Sequence, residues 1–119
     1  MTYTVDQLRR IGGIPWRKSD GTLRMYLNAW EPMVGLEIHR YNTGNIQGAT
    51  LEGVGWLSNR KAGMLTAAKV YLEAETGEIR TDLDRVMDSL RLDITGAVLV
   101  ERLHAEIERR VRALEPMDA

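Results

Sequence analysis

Cysteine and phenylalanine are absent from this 119-residue chain, histidine occurs twice and proline three times. Each shortage closes off chemistry. Without a thiol there is no disulfide, no thiolate nucleophile, and no zinc or iron–sulfur site built on sulfur. Two histidines, His39 and His104, leave little for a general base or an imidazole metal cage. Long apolar runs are missing too: the longest, residues 96–100, is far too short to span a bilayer. The opening Met1-Thr2-Tyr3-Thr4-Val5-Asp6 lacks the basic segment and apolar stretch of a secretory signal. A cytoplasmic location without a membrane partner is expected from these absences.

What remains is ordinary for a globular chain, 44% hydrophobic and 28% charged, well outside the disordered regime. One domain over residues 1–119 is expected, long enough to bury a core without staples. The aromatic set is Trp16, Trp30, Trp56, Tyr3, Tyr26, Tyr41 and Tyr71, and all but Tyr71 lie at or before residue 56. Charge is divided along the chain. From Arg9 to Lys69 nine Lys/Arg stand against four acids, and from Val70 onward seven Arg meet twelve Asp/Glu. A one-signed surface concentrates the opposite charge near it, so the split bears on partners and association.

Thr4 begins a short helix as an N-cap with Gln7 three residues on, and Gly12-Gly13 ends it. Residues 14–16 are extended before and after Pro15. Over residues 22–30 apolar Leu23, Met25, Leu27 and Ala29 alternate with Arg24, Tyr26, Asn28 and Trp30, the period of a strand with one buried face. Residues 34–41 form a second strand and residues 46–51 a third, joined by the turn at Asn42-Thr43-Gly44-Asn45. Ser58 caps a helix over 59–68 whose apolar side is Met64, Leu65 and Ala68. Residues 70–74 and 79–83 make a hairpin around Gly77, and a shorter helix is expected around 83–90. The last element is a helix capped by Asp93 or Thr95, with Val100, Leu103, Ile107, Val111 and Leu114 in one stripe, Glu106–Arg110 and Glu108–Arg112 as surface pairs, and Pro116 after it. The fold class is therefore α+β: an antiparallel sheet of about five strands, a meander plus a hairpin, packed by the C-terminal helix, with short N-terminal and middle helices.

No catalytic constellation stands out. His104 precedes Glu108 by one helical turn, the spacing of an exposed ion pair. Asp82, Asp84 and Asp88 resemble a fragment of a calcium loop but lack its glycine and bidentate acid. Gly53-Val54-Gly55 has neither the third glycine of a dinucleotide fingerprint nor the Gly-Lys-Ser/Thr of a phosphate loop. A helix over 59–68 followed by a hairpin has the order of a recognition helix and wing, yet Glu73, Glu75, Glu78 and Asp82 on that hairpin would repel DNA. No metal, no cofactor and no enzymatic role are expected.

The strongest surface constellation is the outward row Arg24, Tyr26, Asn28 and Trp30, with His39 and Tyr41 on the neighbouring strand and Arg17 and Lys18 beside Trp16 extending it. Aromatics alternating with a cation on a sheet face can stack bases while Arg holds phosphate. The same residue types make protein hot spots, and the row also suits a second core beneath a helix. The sequence points first to a small binding protein that occupies a macromolecular surface, such as an inhibitor or accessory factor of a nucleic-acid-handling complex. Direct binding of single-stranded nucleic acid is the alternative, and a small enzyme the third. The helical stripe could also serve as the seam of a homodimer.

Overall fold

The computed structural model describes residues 1–114. In chain order the elements are α1 (Val5–Arg10), β1 (Ile14–Arg17), β2 (Leu23–Tyr26), a 3-10 turn (Glu31–Val34), β3 (Leu36–Arg40), β4 (Ile46–Leu51), β5 (Gly55–Ser58), α2 (Asn59–Thr66), β6 (Val70–Glu73), β7 (Glu78–Thr81), α3 (Leu83–Ser89) and α4 (Gly96–Arg112). The class is α+β. The strands form two antiparallel sheets, one in the order β1-β2-β6-β7 and one in the order β3-β4-β5. All five expected strands exist, and two more, β1 and β5, pair on their flanks.

The expected meander changes membership. β2 does not pair with β3; it pairs with β1 on one side and β6 on the other, and the meander is β3-β4-β5. The cause lies between residues 27 and 35. Leu27 still donates its N–H to Val70 C=O at 2.9 Å, but Asn28 and Ala29 then turn, and Trp30 has helical φ/ψ of −79° and −19°. Side chains alternate only on an extended backbone. Trp30 is therefore swung inward, 2% exposed, and the expectation that it shares an outer face with Tyr26 is wrong. Val34 closes the 3-10 turn rather than opening a strand, because Gly35 sits at φ +75° and resets the chain direction before β3.

Local signals elsewhere hold. Thr4 and Gln7 form the reciprocal capping box of α1, and Ser58 accepts from Lys61 N–H at the start of α2. α2 ends at Thr66, earlier than expected, and buries Ala62 and Leu65 while Met64 points to solvent. At α4, Thr95 has the extended backbone of an N-cap but its side chain makes no capping bond. Gly96 N–H instead donates to Asp88 Oδ1, at 2.8 Å, from the end of α3. Pro116 lies outside the described residues.

One apolar cluster holds both sheets and the helices together, including Leu8, Met25, Leu36, Leu51, Leu65, Leu72, Met87, Leu99, Leu103 and Ile107. Leu103, Ile107 and Val111 of the expected stripe face this core against α3 and the 3-10 turn, but Leu99 is buried there in place of the expected Val100, and Val100 and Leu114 are only partly buried. The stripe is consequently not left as an open seam. Arg102 leaves the helix to donate to Val34 C=O at 3.1 Å and Glu52 C=O at 2.9 Å, tying α4 to the start of β3 and the end of β4. No described helix is long and apolar enough to cross a membrane.

Candidate binding face

The first sheet has one face in the core, where Met25 and Leu72 are buried with Ile79 packed against them. The strand register decides what the other face carries. Trp16, Arg24, Glu73 and Glu78 lie side by side across the four strands, and Ile14, Tyr26, Tyr71 and Arg80 form the adjacent row. Directly opposed residues of an antiparallel pair share a face, so all eight side chains project outward.

Their rings are in contact. Trp16 meets Tyr26 edge-on, with centroids 6.2 Å apart and planes at 84°, and Tyr26 meets Tyr71 at 5.2 Å and 37°. The Arg24 guanidinium stands 4.4 Å over the Tyr71 ring, within cation–π range. Its Nη1 donates to the Tyr26 hydroxyl at a long 3.5 Å, and its Nε lies 3.5 Å from Glu73 Oε2. That pairing is loose: the buried Arg24 Nε and Glu73 Oε1 make no hydrogen bond. The Tyr26 hydroxyl first, then Tyr71 and Glu73, hold the Arg24 pKa above its ordinary value against the opposing effect of desolvation. At the edge of the sheet Trp16 is 50% exposed and Ile14 51%. Both stand beside a depression shared with Tyr26, Asn28 and Lys69.

Of the residues expected to form a site, Arg24, Tyr26 and Asn28 are brought together here. Trp30 is in the core. Arg17 and Lys18 fall at the far end of β1, where Arg17 Nη1 donates to Gly21 C=O at 2.8 Å and Lys18 N–H to Thr22 C=O at 2.8 Å. His39 and Tyr41 belong to the second sheet and its hairpin, so the expectation that they adjoin Tyr26 fails with the β2–β3 pairing. Ile14 and Tyr71 complete the face without having been expected there. Tyr71 alternates with buried Val70 and Leu72, and that alternation is legible; Ile14, beside a proline, carries no such signal.

The second sheet has its own outer patch. Glu37, Thr50 and Trp56 share one cross-strand row, and His39, Gly48 and Ser58 the next. The Trp56 indole lies across Gly48: a Cβ at that glycine would fall 2.2 Å from Trp56 Cζ2. His39 packs 5.4 Å from the indole, and its Nε2 is 3.0 Å from Thr50 Oγ1. Trp56 is 57% exposed, and Tyr41, at the hairpin, 56%.

Two of the acids weighed for chemistry have structural partners. Asp82 Oδ1 accepts from Lys69 N–H at 2.9 Å and Asp88 Oδ1 caps α4. Glu108 pairs with Arg112 at 2.5 Å, rather than with His104. Among the described residues no group of three His, Asp or Glu is placed to hold a metal ion. Compared with protein-family models, curated proteins and solved structures, the chain matches none.

Proposed function

We propose that this protein is a non-enzymatic binding module that docks on a partner protein through the outer face of the β1-β2-β6-β7 sheet. It acts by occupying that surface, as an inhibitor or accessory factor does. The observation that carries the reading is the half-exposed Trp16 and Ile14 laid beside an ordered Tyr26–Tyr71–Arg24 stack. Rigid aromatics and arginine dominate protein hot spots because they desolvate a large area at small entropic cost. A single strand of nucleic acid would find the stacking platform but few free cations. Arg24 already faces Glu73, Arg80 pairs with Glu78 at 3.2 Å, and Arg17 bonds its own turn, whereas phosphate binding rests on unneutralised Lys and Arg.

The test is capture of partners from lysate, with and without nuclease, by the natural protein and by Trp16→Ala and Tyr26→Ala. Retention after nuclease and loss with either variant is expected, since truncating a central aromatic typically costs about 1–3 kcal/mol or more. Loss on nuclease treatment alone would assign the face to nucleic acid. Retention by both variants, with their circular dichroism unchanged, would sink the reading.

A further inference from the structure

We infer that the free edge of β3 takes up an extended, lysine- or arginine-bearing peptide segment as an added strand. This groove meets the aromatic face only at Asn28, and the inference does not depend on the role given to that face. Among the described residues β3 is an edge strand of its sheet. Glu52 N–H bonds to Gly35 C=O at 2.9 Å, and the pairs that follow are Leu36↔Leu51, Glu37↔Thr50 and Ile38↔Ala49. In an antiparallel ladder bonded and non-bonded pairs alternate, so the N–H and C=O of Leu36 and Ile38 point away from β4. They face a groove of about 880 Å³ whose far wall is the corner at Asn28, Ala29 and Pro32. An unpaired strand edge beside an open channel is the geometry that accepts a peptide strand.

Charge names the occupant. Glu31, Glu37 and Glu52 line the groove, and among the described residues none of the three is in an ion pair. The Glu31 carboxylate accepts from Thr66 Oγ1, at 2.8 Å. Arg40, which also lines the groove, donates to Gly44 C=O at 2.9 Å and so turns toward the hairpin. Three carboxylates around one groove, from the 3-10 turn, β3 and the residue after β4, disfavour a second copy of the same surface and any acidic strand; they attract a basic one. The register irregularity at His39/Arg40 ends regular pairing there, so the added strand is short. Its basic side chain on the outer face would stand across from Glu37, the position of a cross-strand ion pair.

The experiment uses the whole protein and three labelled synthetic peptides: one alternating Lys and Val, one alternating Glu and Val, and the Lys–Val peptide with alternate amides N-methylated. Fluorescence anisotropy is expected to show binding of the Lys–Val peptide alone. Hydrogen exchange at the Leu36 and Ile38 amides should slow when it binds, with no change at residues 14–17. Glu37→Lys, an exposed and unpaired position, should weaken that binding by about tenfold through like-charge repulsion. Equal binding of the N-methylated peptide would reduce the effect to charge alone and overturn strand addition. No binding of the Lys–Val peptide, or protection confined to the β1-β2 face, would overturn the inference outright.

Discussion

Arg24 is where the two kinds of side chain on the outer face meet, one contact aromatic and one ionic. Its guanidinium stacks on Tyr71 with only Nε buried, and it holds Glu73 only at 3.5 Å, so the pair bears some desolvation without a good bond in return. Removing one partner alone leaves the other charge half-buried. Arg24→Leu should therefore lower the urea unfolding midpoint, and adding Glu73→Leu should recover part of the loss. Strictly additive losses would show that the two groups do not interact. The tryptophans divide just as sharply. Trp30→Ala opens the core and should cost about 3–5 kcal/mol. Trp16→Ala, on the sheet edge, should stay within about 1 kcal/mol. Similar melting losses for both would contradict their assigned burial.

At the scale of elements, α4 carries two separable contributions. Leu103 lies in its buried stripe, and Leu103→Ala should lower stability by about 2–5 kcal/mol. On its outer side Arg109 and Arg110 reach Glu106 from 3.0 Å, Arg109 first in effect, and hold its carboxyl down to about 2. A pKa lowered on folding adds stability above the unfolded value and loses it as pH falls through the folded one. Between about pH 5 and about pH 2 the natural protein should drift toward the stability of Glu106→Gln, by less than about 1 kcal/mol because both arginines are solvated. An unchanged gap over that range would mean the carboxylate is not held by these arginines in solution. These helices were legible in the sequence because caps and i,i+4 pairs are local: Thr4–Gln7, Ser58 and Glu106–Arg110 need no knowledge of the rest of the chain. Strand partnership is not local. Arg24 and Tyr26 read as outward-facing, and Tyr71 alternates with Val70 and Leu72, but nothing near them says that β2 adjoins β6 and not β3. The end of the alternation at Asn28 was hidden for a related reason, since Trp30 continues a period-two pattern in composition after the backbone has stopped being extended.

For the whole molecule, the division of charge along the chain is partly undone by the fold. β1 and β2 come from the basic half and β6 and β7 from the acidic half, and they lie in one sheet with Arg24 and Glu73 across the seam. A field of one sign therefore does not dominate the outer face. That weakens the case for steering toward phosphate, and it suits a partner surface of mixed polarity.

The same β2–β6 seam sets an order of events in time. β3, β4 and β5 pair with their immediate neighbours in sequence, whereas β2 must wait for β6, which follows that entire meander and α2. Closing a long loop costs entropy before any contact rewards it. The meander should be structured in the folding transition state, with Ala49→Gly giving a φ-value of about 0.5–0.8, while Leu72→Ala gives about 0–0.3. The reverse ranking would place the nucleus in the other sheet. Under the expected ranking, the complete aromatic face is the last surface to be assembled, and a chain still emerging from the ribosome presents at most its β1-β2 half, Trp16 beside Tyr26, until β6 brings in Tyr71.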